Sequence, residues 1–123
     1  SPVAARVIGL TYRRGKFLNA LRAASAQENE QMAVRLEENA FPHRRLIVRQ
    51  IAGAIARRIV CWVAPGEELD RGEQFGMIKF GSRTELVLPW EPGLQVRVAV
   101  GDHVRAGSSV MAQYGSDADE RAP

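Results

Sequence analysis

An internal repeat constrains this chain more than any other feature. Val63-Ala64-Pro65-Gly66-Glu67-Glu68-Leu69-Asp70-Arg71-Gly72 aligns with Val98-Ala99-Val100-Gly101-Asp102-His103-Val104-Arg105-Ala106-Gly107 at a constant offset of 35 residues. The valine, the alanine, both glycines and the acid after the first glycine recur. Leu69 is answered by Val104 and, past the second glycine, Phe75 by Val110. Each copy predicts a strand, a Gly-acid turn, a short apolar step, a second Gly turn and a new strand. Turns this tight often need the positive φ that glycine adopts without steric cost. Two copies are too few for a solenoid and suit a small barrel or sandwich with internal pseudo-symmetry.

The remainder also reads as short apolar segments punctuated by Gly and Pro. Ser1 to Tyr12 predicts a strand pair or one bent strand, with Val3, Val7, Ile8 and Leu10 as its apolar positions. Ala20 to Gln31 has the composition of a short helix. Met32, Val34 and Leu36 alternate with Ala33, Arg35 and Glu37 at the period of a half-buried strand. The turn Glu38 to His43 returns it as an antiparallel hairpin through Leu46 to Ile51, and Ile59 to Val63 is expected to continue that sheet after a bend at Gly53. The fold class is therefore all-β with at most one short helix, similar to the barrel-sandwich hybrids of biotinyl and lipoyl domains. A length of 123 residues suits one domain. Residues 1–114 are expected to form it and 115–123 a disordered tail. The chain starts on Ser1-Pro2-Val3 without a methionine, as expected of a fragment whose domain continues upstream.

With 46% hydrophobic and 25% charged residues, the chain has the makeup of an ordinary globular protein. Its formal charge is +3, and the acidic tail 115–121 leaves +5 on the body. That body prefers anionic partners. Lone Cys61 cannot form an internal disulfide. No run reaches the roughly 18–20 apolar residues of a membrane-spanning helix.

Ordinary catalytic constellations are sparse. His43 and His103 fall in predicted turns, Cys61 lies between Val60 and Trp62 as a small buried apolar residue, and no His/Cys cluster has metal-ligand spacing, so no metal is expected. Arg13-Arg14 and Arg44-Arg45 read as solvated, Trp62 and Trp90 as core and edge packing. One site departs from the pattern. A strand from Phe75 to Phe80 runs into Gly81-Ser82-Arg83 and resumes at Glu85-Leu86-Val87-Leu88. By composition this is a hairpin turn or a bulge. A strained Gly-Ser bond also offers a chemistry: the serine hydroxyl attacks the preceding carbonyl, the amide becomes an ester, and β-elimination and hydrolysis leave a pyruvoyl group, an electron sink made from the chain itself.

The run from Gln50 to Val63, then Pro65-Gly66, then Arg71 to Arg83, resembles the phosphatidylserine decarboxylase family in its short bacterial and archaeal proenzyme form. Gly15-Lys16-Phe17-Leu18-Asn19-Ala20, Glu28-Asn29-Glu30 and Val100 to Gly107 carry the same resemblance, which extends from Ser1 to about Ala112. Phe80 and Arg83 flank the Gly-Ser, where long-form members have Leu-Gly-Ser-Thr. Gln31-Met32 replaces the family's Arg-Asn and Ala5 replaces a glycine. The family's cleavage-assisting Asp and His match no residue here and belong upstream of Ser1.

The resemblance implies cleavage between Gly81 and Ser82. A β chain would end at Gly81, and an α chain would begin with Ser82 converted to the pyruvoyl cofactor. The implied substrate is phosphatidylserine or its archaeal ether analogue, met at an anionic membrane surface on the cytoplasmic face of the cell membrane. A homo-oligomer fits the same picture; nucleic acid does not, since no reading motif appears. Lys16, Phe17 and Asn19 are candidates for the substrate mouth. Arg57 and Arg58 are candidates for a headgroup phosphate clamp, because guanidinium matches phosphate bidentately. Two alternatives remain. A biotinyl/lipoyl-like carrier would need a lysine between methionines, whereas Lys79 lies between Ile78 and Phe80. An inactive scaffold remnant is the other.

Overall fold

The computed structural model describes residues 1–15, 29–53, 59–78 and 83–115, and every regular element among them is a strand. Five strands form one antiparallel sheet: β1 (Ala5–Arg13), β2 (Gln31–Glu38), β3 (Arg45–Ile51), β5 (Glu68–Leu69) and β7 (Arg83–Val87), in the order β5-β1-β2-β3-β7. Two antiparallel pairs complete the architecture, β4 (Ile59–Cys61) with β6 (Gly76–Ile78) and β8 (Gln95–Val96) with β9 (Ala112–Gln113). The all-β class holds. The expected helix falls on residues outside the described set except at its end, where Gln31 already belongs to β2.

Alternation builds the core. Val34 and Leu36 of β2, Leu46 and Val48 of β3, and Ala5 and Val7 of β1 face inward and are buried. β1 is the bent strand: its register shifts between Val7 and Gly9, and the bulge returns Leu10 to the inner face, opposite Val34. Leu69 and Phe75, from the first repeat, close the core. The outer face alternates arginines with glutamates. Arg6 stands 3.3 Å and Arg45 3.9 Å from Glu37, while Arg49 stands 3.4 Å and Arg83 2.9 Å from Glu85. Exposed pairs of this kind contribute little each, at most about 1 kcal/mol.

The repeat is real in three dimensions. Gly66 and Gly101 share φ = 96°, and Gly72 and Gly107 share φ = 80°. The turn bonds recur at the same offset: Glu67 N donates to Ala64 O and Asp102 N to Ala99 O, then Glu73 N to Asp70 O and Ser108 N to Arg105 O. Gly72 and Gly107 also pack on each other. A Cβ on Gly72 would lie 3.2 Å from Gly107 O, so the two copies meet at their second glycines. Beyond that point the copies slip by one residue. Trp62 N donates to Phe75 O, but Arg97 N donates to Met111 O, so Met111 rather than Val110 is the partner of Phe75. The copies also differ in what covers them. Leu69 pairs with Ala5 and is buried, whereas its counterpart Val104 is exposed.

Several expectations need correction. Ile59 to Val63 does not continue the main sheet; β4 pairs with β6 instead. β6 and β7 pair with β4 and β3 rather than with each other, and Gly81-Ser82, read as a hairpin turn or a bulge, lies outside the described residues. Trp62 and Trp90 are exposed, at 54% and 77%. Neither fills the core, because Phe75, Leu69 and the β1–β3 side chains already do. Cys61 is half-buried and packs against the core as a small apolar group.

Arg44 is the largest departure, being 1% exposed rather than solvated. Its guanidinium makes two bonds to Glu91, Nε to Oε1 at 2.8 Å and Nη2 to Oε2 at 2.9 Å, and stands 3.6 Å from Glu38. The Phe41 and Tyr114 rings cover it at 4.3 Å and 3.8 Å. Tyr114 in turn donates its hydroxyl to Pro89 O. Arginine alone among cations offers this planar fork and stacks on rings at the same time. The cluster ties the β2–β3 turn to residues 89–91 and to the end of the second repeat.

Candidate functional site

Four strands line up at one end of the five-stranded sheet. Arg13 of β1 is opposite Gln31 of β2, Gln31 opposite Ile51 of β3, and Ile51 opposite Arg83 of β7. Residues 16–28, 54–58 and 79–82 all lead to or from this end. The last two segments also share their far ends, since Ile59 pairs with Ile78. Residues 54–58 and 79–82 are thus the two connections between the Ile51–Arg83 pair and the Ile59–Ile78 pair.

Every residue put forward in the sequence for cleavage or substrate binding falls in one of these segments. Lys16, Phe17 and Asn19 follow β1, Arg57 and Arg58 precede β4, and Gly81 and Ser82 precede β7. All seven, with Lys79, lie outside the described residues. The structure places their anchors, and it brings those anchors together from three distant parts of the sequence.

The anchors are held by buried amides. Asn29, fully buried, donates Nδ2 to Ala52 O at 2.6 Å, and Ala52 N donates to Glu30 O at 2.9 Å. Gln31 Nε2 donates to Asn29 O at 3.3 Å. These bonds tie the entry to β2 to the exit from β3. Nearby, Tyr12 donates its hydroxyl to the Glu30 carboxylate. That bond, with a smaller contribution from burial, raises the phenol above its ordinary pKa. Arg83 is committed to Glu85 on the outer face.

Gln50 shares the inner face with Leu46 and Val48 and is 6% exposed. Its Oε1 is buried without a hydrogen-bond partner among the described residues. Its amide lies against Gly76, where a Cβ would come within 3.0 Å of Nε2 and 2.5 Å of Val60 O. Reading the sequence for chemistry missed Gln50 and Asn29. The signal for Gln50 was present in the alternation Leu46, Val48, Gln50, a polar side chain at a core position. His43 sits at the opposite end of the sheet, 2.9 Å from Glu91, and His103 is exposed. Among the described residues no group of three or more His, Cys, Asp or Glu is placed to hold a metal ion.

Comparison with known proteins places the chain in a family. The family model described as phosphatidylserine decarboxylase matches residues 1–112. The phosphatidylserine decarboxylase proenzyme of Rhodopirellula baltica is 54% identical over 109 residues, covering 89% of this chain and 45% of that protein. The chain thus spans less than half the length of this relative. No solved structure matches it.

Proposed function

Because the chain belongs to the phosphatidylserine decarboxylase family, we propose that it carries the self-cleaving, pyruvoyl-forming part of a phosphatidylserine decarboxylase, with Gly81-Ser82 as the cleavage pair. The observation that carries this reading is the pairing on both sides of residues 79–82. Ile78 is bound to Ile59 in one sheet and Arg83 to Ile51 in another. A short connection between two anchored strands is where backbone strain can be stored for chemistry.

The residues supply the groups for the cleavage. Gly81 presents a carbonyl with no side chain in the path of attack. The Ser82 oxygen bonds to that carbonyl carbon, the C–N bond breaks, and the Ser82 nitrogen takes the hydroxyl proton, leaving an ester. Loss of the Ser82 α-proton then breaks the Cβ–O bond and frees Gly81 as a carboxylate. Water taken up at residue 82 with release of ammonia completes the change. The pyruvoyl group so formed supplies a carbonyl that takes up the substrate amine and the electron pair left as CO₂ departs. The buried Gln50 amide oxygen beside β7 is the feature of the described residues that suits a polar group at this place.

The substrate on this reading is phosphatidylserine, with Lys16, Phe17, Asn19, Arg57 and Arg58 as the candidates that line its path. The protein acts at the cytoplasmic face of the membrane. Arg6, Arg35, Arg45 and Arg49 on the outer sheet face, together with the net charge of +3, support attraction to an anionic surface. Intact mass is the test. The protein expressed from its complete reading frame should resolve into two chains cut after Gly81, the second blocked at its N-terminus and gaining mass with an amine and borohydride. A single, unreactive chain would overturn the reading. Co-sedimentation with phosphatidylserine vesicles should weaken as salt rises; salt-independent binding would remove the electrostatic part of the proposal.

A further inference from the structure

The two units of the repeat share their turns, but only the first is covered, and its cover is a strand. Ser1 to Val7 run antiparallel along residues 66–73, with Ala5 paired to Leu69 and Arg6 to Glu68. Val7 O accepts from Gly66 N at 2.7 Å, Val7 N donates to Glu67 O at 2.9 Å, and Ser1 O accepts from Gly72 N at 2.8 Å. Leu69, beneath this strand, is 2% exposed.

In the second unit the same edge stands open. Gly101 and Gly107 hold the φ of Gly66 and Gly72, so the backbone already has the form that the first unit pairs in. Gly101 N, Asp102 O and Gly107 N are the counterparts of the three groups bound by Val7 and Ser1. None of them forms a backbone hydrogen bond with a described residue. Val104, the counterpart of Leu69, is 51% exposed, and every residue from 99 to 111 is exposed, Val100, Val110 and Met111 among them.

Apolar side chains beside unpaired backbone groups specify the kind of partner. Lipid would cover the valines but leave the N–H and C=O groups unsatisfied. An extended peptide covers the first and bonds the second. Charge narrows the match. Arg6 is the cross-strand partner of Glu68, whereas His103 takes the place of Glu68 in the second unit, and Arg105 and Ser108 replace Asp70 and Glu73. The strand that fits carries an acid where β1 carries Arg6, between apolar residues answering Ala5 and Val7.

We propose that the second unit is a docking edge for an extended segment of the same polypeptide from outside these 123 residues. The segment pairs antiparallel with residues 101–107 as Ser1 to Val7 pair with 66–72. The length of the Rhodopirellula baltica relative supports that source: the match takes up 45% of it, so more than half of that protein lies outside the match. This pairing requires no cleavage of the chain.

Amide hydrogen exchange is the test, in protein expressed from its complete reading frame. Gly101 and Gly107 should exchange within about tenfold of Gly66 and Gly72, at rates independent of protein concentration. Exchange at the rate of a free amide overturns the inference. So does protection that appears only as concentration rises, the mark of a second copy, or only with phosphatidylserine vesicles, the mark of lipid. Val104→Asp puts a charge beneath the docked strand and should speed exchange at Gly101 and Gly107 by about tenfold or more while Gly66 and Gly72 keep their rates; undiminished protection overturns the inference. A benzophenone side chain in place of His103 identifies the segment. On irradiation it should join a peptide from outside residues 1–123, and a peptide from within them, or from a second copy, overturns the inference. Where a variant fails to fold, the exchange rates of the parent decide.

Discussion

Arg44→Met should destabilise the fold by about 3–5 kcal/mol, read as a lower urea midpoint at an unchanged slope. Methionine matches the aliphatic stem but supplies no charge. The substitution leaves Glu38, 7% exposed, and Glu91 facing each other across a site built for a cation. It also removes the stacking on Phe41 and Tyr114. Arg44→Lys should recover little, because an ammonium cannot bond both Glu91 oxygens in one plane. A midpoint within about 0.5 kcal/mol of the parent would show that the cluster is incidental. The same contact sets an acid limit. The bonds from Arg44, with that from His43, hold the Glu91 carboxyl down to about 2 from an ordinary value of 4.5. A folded-state pKa below that of the unfolded chain means the stabilisation is complete above about pH 4.5 and is lost as the pH falls toward 2. Glu91→Gln should flatten that limb of the stability curve.

Ser82→Ala should abolish conversion to two chains outright, with a folded protein remaining. The step needs an oxygen on Cβ of residue 82 twice, first as the attacking atom and then as the leaving group. Alanine provides neither, so no slow residual route through the same chemistry exists. Circular dichroism and melting should match those of the uncut parent, since β6 and β7, the strands that precede and follow Ser82 in sequence, are each paired in a separate sheet. Two chains from the Ser82→Ala protein would move the cleavage point elsewhere and remove the basis for a pyruvoyl group at this position.

Local pattern made much of the architecture readable. Met32, Val34 and Leu36 set the inner face of β2 because a strand alternates with period two, and the β2–β3 hairpin pairs as the alternation requires. The glycine repeat specified turns to the degree that equivalent glycines share the same φ. What failed involved partners far along the chain. Arg44 read as a solvated charge because its acceptor, Glu91, is 47 residues away, and nothing near position 44 announces it. The partners of the strands on either side of Gly81-Ser82 were equally illegible, since β4 claims β6 and β3 claims β7. The one-residue slip after Gly107 escaped alignment because Val110 and Met111 are both apolar.

By itself, then, the sequence determined the strand periods, the glycine turns, the doubled unit and the Gly81-Ser82 pair that the family resemblance singles out. These depend on neighbours a few residues apart, where sterics and alternation act. Only the tertiary structure decided that Arg13, Gln31, Ile51 and Arg83 lie side by side in one row, that Arg44 is enclosed, and that the Gln50 oxygen is buried without a donor among the described residues. Whether a polar group is hydrated or buried is set by what packs against it, and here that is chain from dozens of residues away.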